Sequence, residues 1–164
     1  MKTTKTILAL TAAVAVMGAA ASAMAADVTG TANASVVQAI EITENTQMSF
    51  GTIASTGTAG TVVLAPAGGT TATNVTELAG GTAAAAQFTV SGGDSAAYTL
   101  TLPTSATLSN GSETMAVSSF TENATETLNG SGTETFNVGA TLAVGAAQAS
   151  GTYSGTYTVT VNYQ

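Results

Sequence analysis

The chain has 164 residues, with nine carboxylates, two lysines and a formal net charge of −7, enough for a short leader and one domain. It contains no Cys, His or Trp, which excludes disulfides and thiolate metal sites and removes the usual imidazole and thiolate bases and nucleophiles. Lys2 and Lys5 are the only cationic side chains; without them the −7 becomes −9, from Asp27, Asp94 and seven glutamates, and such a chain cannot neutralise nucleic-acid phosphates or anionic lipid.

Residues 1–25 read as a secretory signal peptide. A basic start at Lys2 and Lys5 precedes an uncharged apolar run from Ile7 to Ala21. Ala23 and Ala25 then place small residues where a signal peptidase cuts. Cleavage after Ala25 leaves a mature chain with no Lys or Arg, so burial and backbone pairing must hold its fold.

The mature chain opens with apolar or small residues at even positions, Val28, Gly30, Ala32, Ala34, Val36, Ile40 and Ile42, against mostly polar odd positions. Period-two alternation predicts two strand pieces joined by a bend or bulge near Val37 and Gln38. Short strands are expected around Met48–Ile53 and Gly60–Leu64, the second stopped by Pro66. Residues 67–84 carry Gly68-Gly69 and Gly80-Gly81 and read as a loop, followed by strands over 87–90 and 97–102 that look like a hairpin pair. Asn110-Gly111 predicts a tight turn between strands near Leu108 and Met115. A further strand spans 135–144.

Residues 151–164 close the chain with apolar residues or glycine at alternate positions, Gly151, Tyr153, Gly155, Tyr157, Val159, Val161 and Tyr163. Alternation running to the penultimate residue predicts a full terminal strand that is paired within its own sheet or by a partner, since free chain ends fray. Seven to nine short strands at this spacing predict an all-β, immunoglobulin-like (pilin-like) β-sandwich over residues 26–164. Its expected core is thin, drawn from about 17 large side chains such as Phe88, Val90, Phe136, Leu142, Tyr157 and Val161.

Catalytic chemistry finds little support. The pairs Glu41/Glu44 and Glu122/Glu126 have the residue type for glycoside hydrolysis, but they lie in polar stretches without an aromatic sugar platform and read as solvated surface. Asp94, in its glycine turn, is the best single calcium candidate, yet no D-x-D run gathers further oxygen ligands. The sequence therefore predicts no catalytic, cofactor or metal residues.

The terminal strand resembles that of chaperone–usher pilus subunits, which end in a penultimate Tyr, here Tyr163, a glycine fourteen residues from the end, here Gly151, and alternating apolar residues between, here Tyr153, Tyr157, Val159 and Val161. Nearly the whole mature chain is also similar to a secreted Gram-negative family classed as a domain of unknown function. It shares Phe50-Gly51-Thr52-Ile53, Gly60-Thr61-Val62 and Gly151-Thr152-Tyr153-Ser154-Gly155 and is itself similar to fimbrial and spore-coat-U-type domains. The pilus resemblance implies a sandwich lacking its final strand, a groove filled first by a periplasmic chaperone and then, at an outer-membrane usher, by the N-terminal extension of the next subunit. It assigns that donor role to Val28, Gly30, Ala32, Ala34 and Val36, and implies passage through the periplasm to a surface fibre that grows by self-polymerisation. The chain departs from many pilins in having no disulfide, and its donor segment carries small residues where strong donors carry large ones. The expected function is a non-enzymatic structural subunit of a pilus-like fibre. The alternative is a monomeric surface or coat protein whose residues 27–42 pair in its own sheet.

Overall fold

A computed structural model describes residues 25–164; most of the expected signal peptide, including Ala23, lies outside the described residues. The described residues contain no helix and eleven strands: β1 (Glu41–Thr46), β2 (Ser49–Ser55), β3 (Gly60–Leu64), β4 (Thr70–Thr73), β5 (Val75–Ala84), β6 (Ala86–Ser91), β7 (Tyr98–Thr101), β8 (Ser105–Ser109), β9 (Thr114–Glu122), β10 (Thr133–Val144) and β11 (Thr160–Tyr163). Every pairing is antiparallel. The architecture is all-β and consistent with a β-sandwich. Two compact units divide the chain at Ala34 and Ser35; the described part of the first, residues 25–34, has no regular secondary structure and is exposed throughout.

β10 organises the second unit. Val138 faces Ala86 on β6 and Glu122 on β9, while Leu142 faces Val62 on β3 and Val117 on β9. One edge of β10 is thus shared by β6 and then β3, and the other belongs to β9. The handover falls at Gly139, where any Cβ would run into the Leu64 carbonyl, so only glycine lets the backbones approach this closely. β1 extends the sheet beyond β6, β4 beyond β3 and β8 beyond β9; β2–β5 and β7–β11 form two separate ladders.

Alternation sets the core. On β6, Ala86, Phe88 and Val90 are buried and the residues between them are not. Phe88 lies opposite Phe136, with ring centroids 5.7 Å apart. They join Val90, Tyr98, Leu128 and Val138 in one cluster; Val62, Met115, Val117, Ala140, Leu142 and Val144 form a second. Met48 and Phe120 pack against both.

The structure departs from the sequence expectations in five places. Of the alternating mature N-terminus, only Glu41–Thr46 forms a strand, because only β6 offers it a ladder. Val28 and Val36 are 94% and 92% exposed. The expected loop at 67–84 holds β4 and β5; Gly81 is a point of close approach, since a Cβ there would strike the Thr52 backbone. The expected β6–β7 hairpin does not form: β6 lies between β1 and β10, and β7 pairs with β11. The strand count is eleven, above seven to nine. The terminal segment is a ladder only at Thr160–Tyr163, with one further bridge between Ser154 and Ser109.

Candidate functional site

The unpaired part of the terminal segment borders a groove, a cavity of about 1040 Å³. One wall is the β1–β2 stretch from Ile42 to Ile53 and the other is residues 151–159; Phe88, Leu108, Met115 and Leu142 also line it. Period-two alternation explains the second wall: Tyr153, Tyr157 and Val159 turn inward and are half-buried, while Ser154, Thr156 and Thr158 are exposed. Tyr157 packs on Phe120 (5.3 Å between centroids) and edge-on to Phe88 (6.4 Å).

Both walls have backbone to spare. β1 ladders only with β6 and β2 only with β5, so each has one edge without a neighbour. Ser154 exchanges two bonds with Ser109 (2.8 and 3.0 Å), and residues 155–159 make no backbone–backbone hydrogen bond among the described residues. Unpaired N–H and C=O groups along a groove lined by both polar and apolar side chains can hydrogen-bond an extended chain.

The ends of the groove are fastened. At one end the Tyr163 hydroxyl donates to the Gln38 carbonyl (2.6 Å) and accepts from the Gly93 N–H (2.6 Å); Gly92 is small because a Cβ there would meet that hydroxyl. At the other end the Ala147 N–H donates to Thr56 O (2.8 Å) and the Ser55 hydroxyl to Gln148 O (3.1 Å). Residue 38 lies by 163 and 56 by 147, so the walls run antiparallel. A strand entering between them would be antiparallel to one and parallel to the other.

One polar atom is left over. The Tyr157 hydroxyl is buried and has no hydrogen-bond partner among the described residues, and burial, with a smaller contribution from the Glu44 carboxylate, pushes its pKa up to about 12. An orphaned hydroxyl costs folding free energy that a partner would recover.

The other singled-out residues fall elsewhere. Gly151, Tyr153, Tyr157 and Val159 line the groove, whereas Val161 and Tyr163 lie in β11. Val28, Gly30, Ala32, Ala34 and Val36 are exposed and outside any strand. Glu41 and Glu44 sit on opposite faces of β1, as odd and even strand positions must. Glu122 accepts from the Ala124 N–H and Glu126 from the Leu100 N–H (3.0 Å), so both are occupied by backbone. Among the described residues no three Asp or Glu side chains gather where they could hold a metal ion. Sequence reasoning passed over Met48, Phe50, Ile53 and Glu44 as wall residues; Met48–Ile53 reads as a short strand, but the register shift between Phe50 and Thr52 that leaves both Phe50 and Ile53 half-buried has no local signal.

The fold and groove define a class: an all-β protein with an open trough between its first strands and its last segment. Residues 40–163 match the family described as Domain of unknown function (DUF4402), and the chain belongs to it. No curated protein and no solved structure gave a significant match.

Proposed function

We propose that this protein is a secreted structural subunit of a surface fibre, with an immunoglobulin-like, pilin-like sandwich that assembles by β-strand addition. The observation that carries this reading is the groove: two antiparallel walls, each with backbone outside any ladder, over Phe88, Leu108, Met115 and Leu142. Such a site gains affinity from main-chain hydrogen bonds and selectivity from alternate side chains. The donor is the N-terminal extension of another copy, whose residues 27–36 alternate in sequence and are exposed. A periplasmic chaperone holds the groove before assembly and an outer-membrane usher is the place of exchange; both partners come from the pilus resemblance.

Sedimentation decides between this reading and the self-completed monomer. The exported chain should form concentration-dependent oligomers, and a variant lacking residues 26–35 should stay monomeric with an unchanged Tm. A chain that is monomeric at every concentration, and that loses stability on the same deletion, would sink the strand-addition reading.

A further inference from the structure

Residues 25–164 carry two sulfur atoms, the thioethers of Met48 and Met115, and no Cys. Both side chains line the groove, but they are placed differently. Met115 stands in β9 opposite Leu108 and is only 8% exposed. Met48 is half-buried and lies in the short connection from β1 to β2. Gln47 and Met48 belong to neither ladder, and a register shift lies on either side, at Glu44–Thr46 and at Phe50–Thr52. With the backbone loose here, the side chain does the fastening: Met48 packs against both apolar clusters, a position it shares with Phe120. An unbranched thioether suits such a joint because it fills irregular space. It is also a group that an oxidant turns from apolar to polar.

We propose that Met48 is an oxidation site: a peroxide that enters the groove converts its thioether to the sulfoxide and so loosens the joint between the two clusters. The sulfur takes one peroxide oxygen as the O–O bond breaks, and water leaves from hydrogen peroxide, or an alcohol from an alkyl hydroperoxide. Sulfur is oxidised by two electrons and the peroxide is reduced by two. The sulfoxide oxygen is a strong acceptor that is costly to keep among apolar side chains without a donor. It turns to the water of the groove, the contacts to the clusters are lost, and the β1–β2 wall has less to hold it. The chemistry needs no occupant in the groove, so strand addition and oxidation at Met48 stand or fall separately.

The test treats purified protein, at concentrations where it is monomeric, with hydrogen peroxide. Chymotryptic peptide masses follow each methionine, oxidation adding about 16 Da. In the folded protein Met48 should oxidise several times faster than Met115, and in urea the two rates should become equal. Tm should fall by about 5 °C as Met48 is converted. Met48→Leu, close in volume, should fold and keep its Tm through the same treatment, whereas Met115→Leu should lose Tm as the wild type does. Equal rates in the folded protein, or faster oxidation of Met115, overturn Met48 as the site. Conversion of Met48 with an unchanged Tm overturns its role as a joint. A loss of Tm that persists in Met48→Leu and disappears in Met115→Leu belongs to the other sulfur and overturns the proposal as a whole.

Discussion

Tyr98 and Glu134 form the one phenol–carboxylate hydrogen bond among the described residues, part-buried, and it has a consequence for pH. Tyr98 is fully buried and its hydroxyl donates to Glu134 Oε2 at 2.8 Å. Glu134 Oε1 accepts from the Thr125 N–H (2.5 Å) and the Thr125 hydroxyl (2.9 Å). Burial alone would raise the Glu134 pKa, but the bonds from Thr125, Tyr98 and Thr127 outweigh it and hold the carboxyl below its ordinary 4.5. Because the folded value is the lower one, the stabilisation is complete above about pH 4.5 and is lost as pH falls below it. Thermal melts from pH 7 to pH 3 should show Tm dropping below about pH 4.5, with a shallower drop in Glu134→Gln. An identical acid limb in the variant would mean that another carboxylate carries the transition. Tyr98 is displaced upward by burial first and by Glu134 second, so its neutral form adds stability that fades only as pH rises past 10. None of this was legible in the sequence: Tyr98 reads as one more alternating strand residue, and a contact across 36 positions leaves no local trace.

At the scale of elements, the sequence was most informative where alternation coincided with a turn signal. Asn110-Gly111 predicts the β8–β9 hairpin, and Ser109 does pair with Thr114 across it. It failed where pairing is non-local. Phe88–Val90 and Tyr98–Leu102 are near in sequence, yet β7 finds its ladder with β11, about sixty residues on. The terminal segment is the instructive case, because one pattern covers both a paired strand and an unpaired groove wall. Period two reports which side chains turn inward; it does not report whether the backbone has neighbours. What fixes the paired end is Tyr163, whose hydroxyl serves Gln38 and Gly93 together. Tyr163→Phe should lower stability by about 1–3 kcal/mol, since it removes two hydrogen bonds and strands the Gly93 N–H. It should also speed release of the last residues by carboxypeptidase, a measure of local fraying. Unchanged Tm and unchanged release would show that the β7 ladder alone anchors the end.

For the whole molecule, charge is the property that sequence composition determines most completely. Every cationic side chain lies in the first five residues and all nine carboxylates lie beyond residue 26. The described chain therefore cannot contain a Lys or Arg ion pair, and its cohesion comes from the two apolar clusters and the ladders around β10. The same distribution makes processing measurable without any knowledge of function. Trypsin cuts only after Lys or Arg, so a chain cleaved after Ala25 offers it no site, folded or unfolded. Protein recovered from an exporting host, unfolded in urea, diluted and treated with trypsin, should keep its intact mass to the dalton, while chymotrypsin, given Phe, Tyr and Leu, should fragment it. If the leader is retained, trypsin must instead remove residues 1–5, and that mass loss would overturn cleavage at Ala25. Because removal of Lys2 and Lys5 also takes the net charge from −7 to −9, the two forms should separate on an anion exchanger, with the cleaved one eluting later.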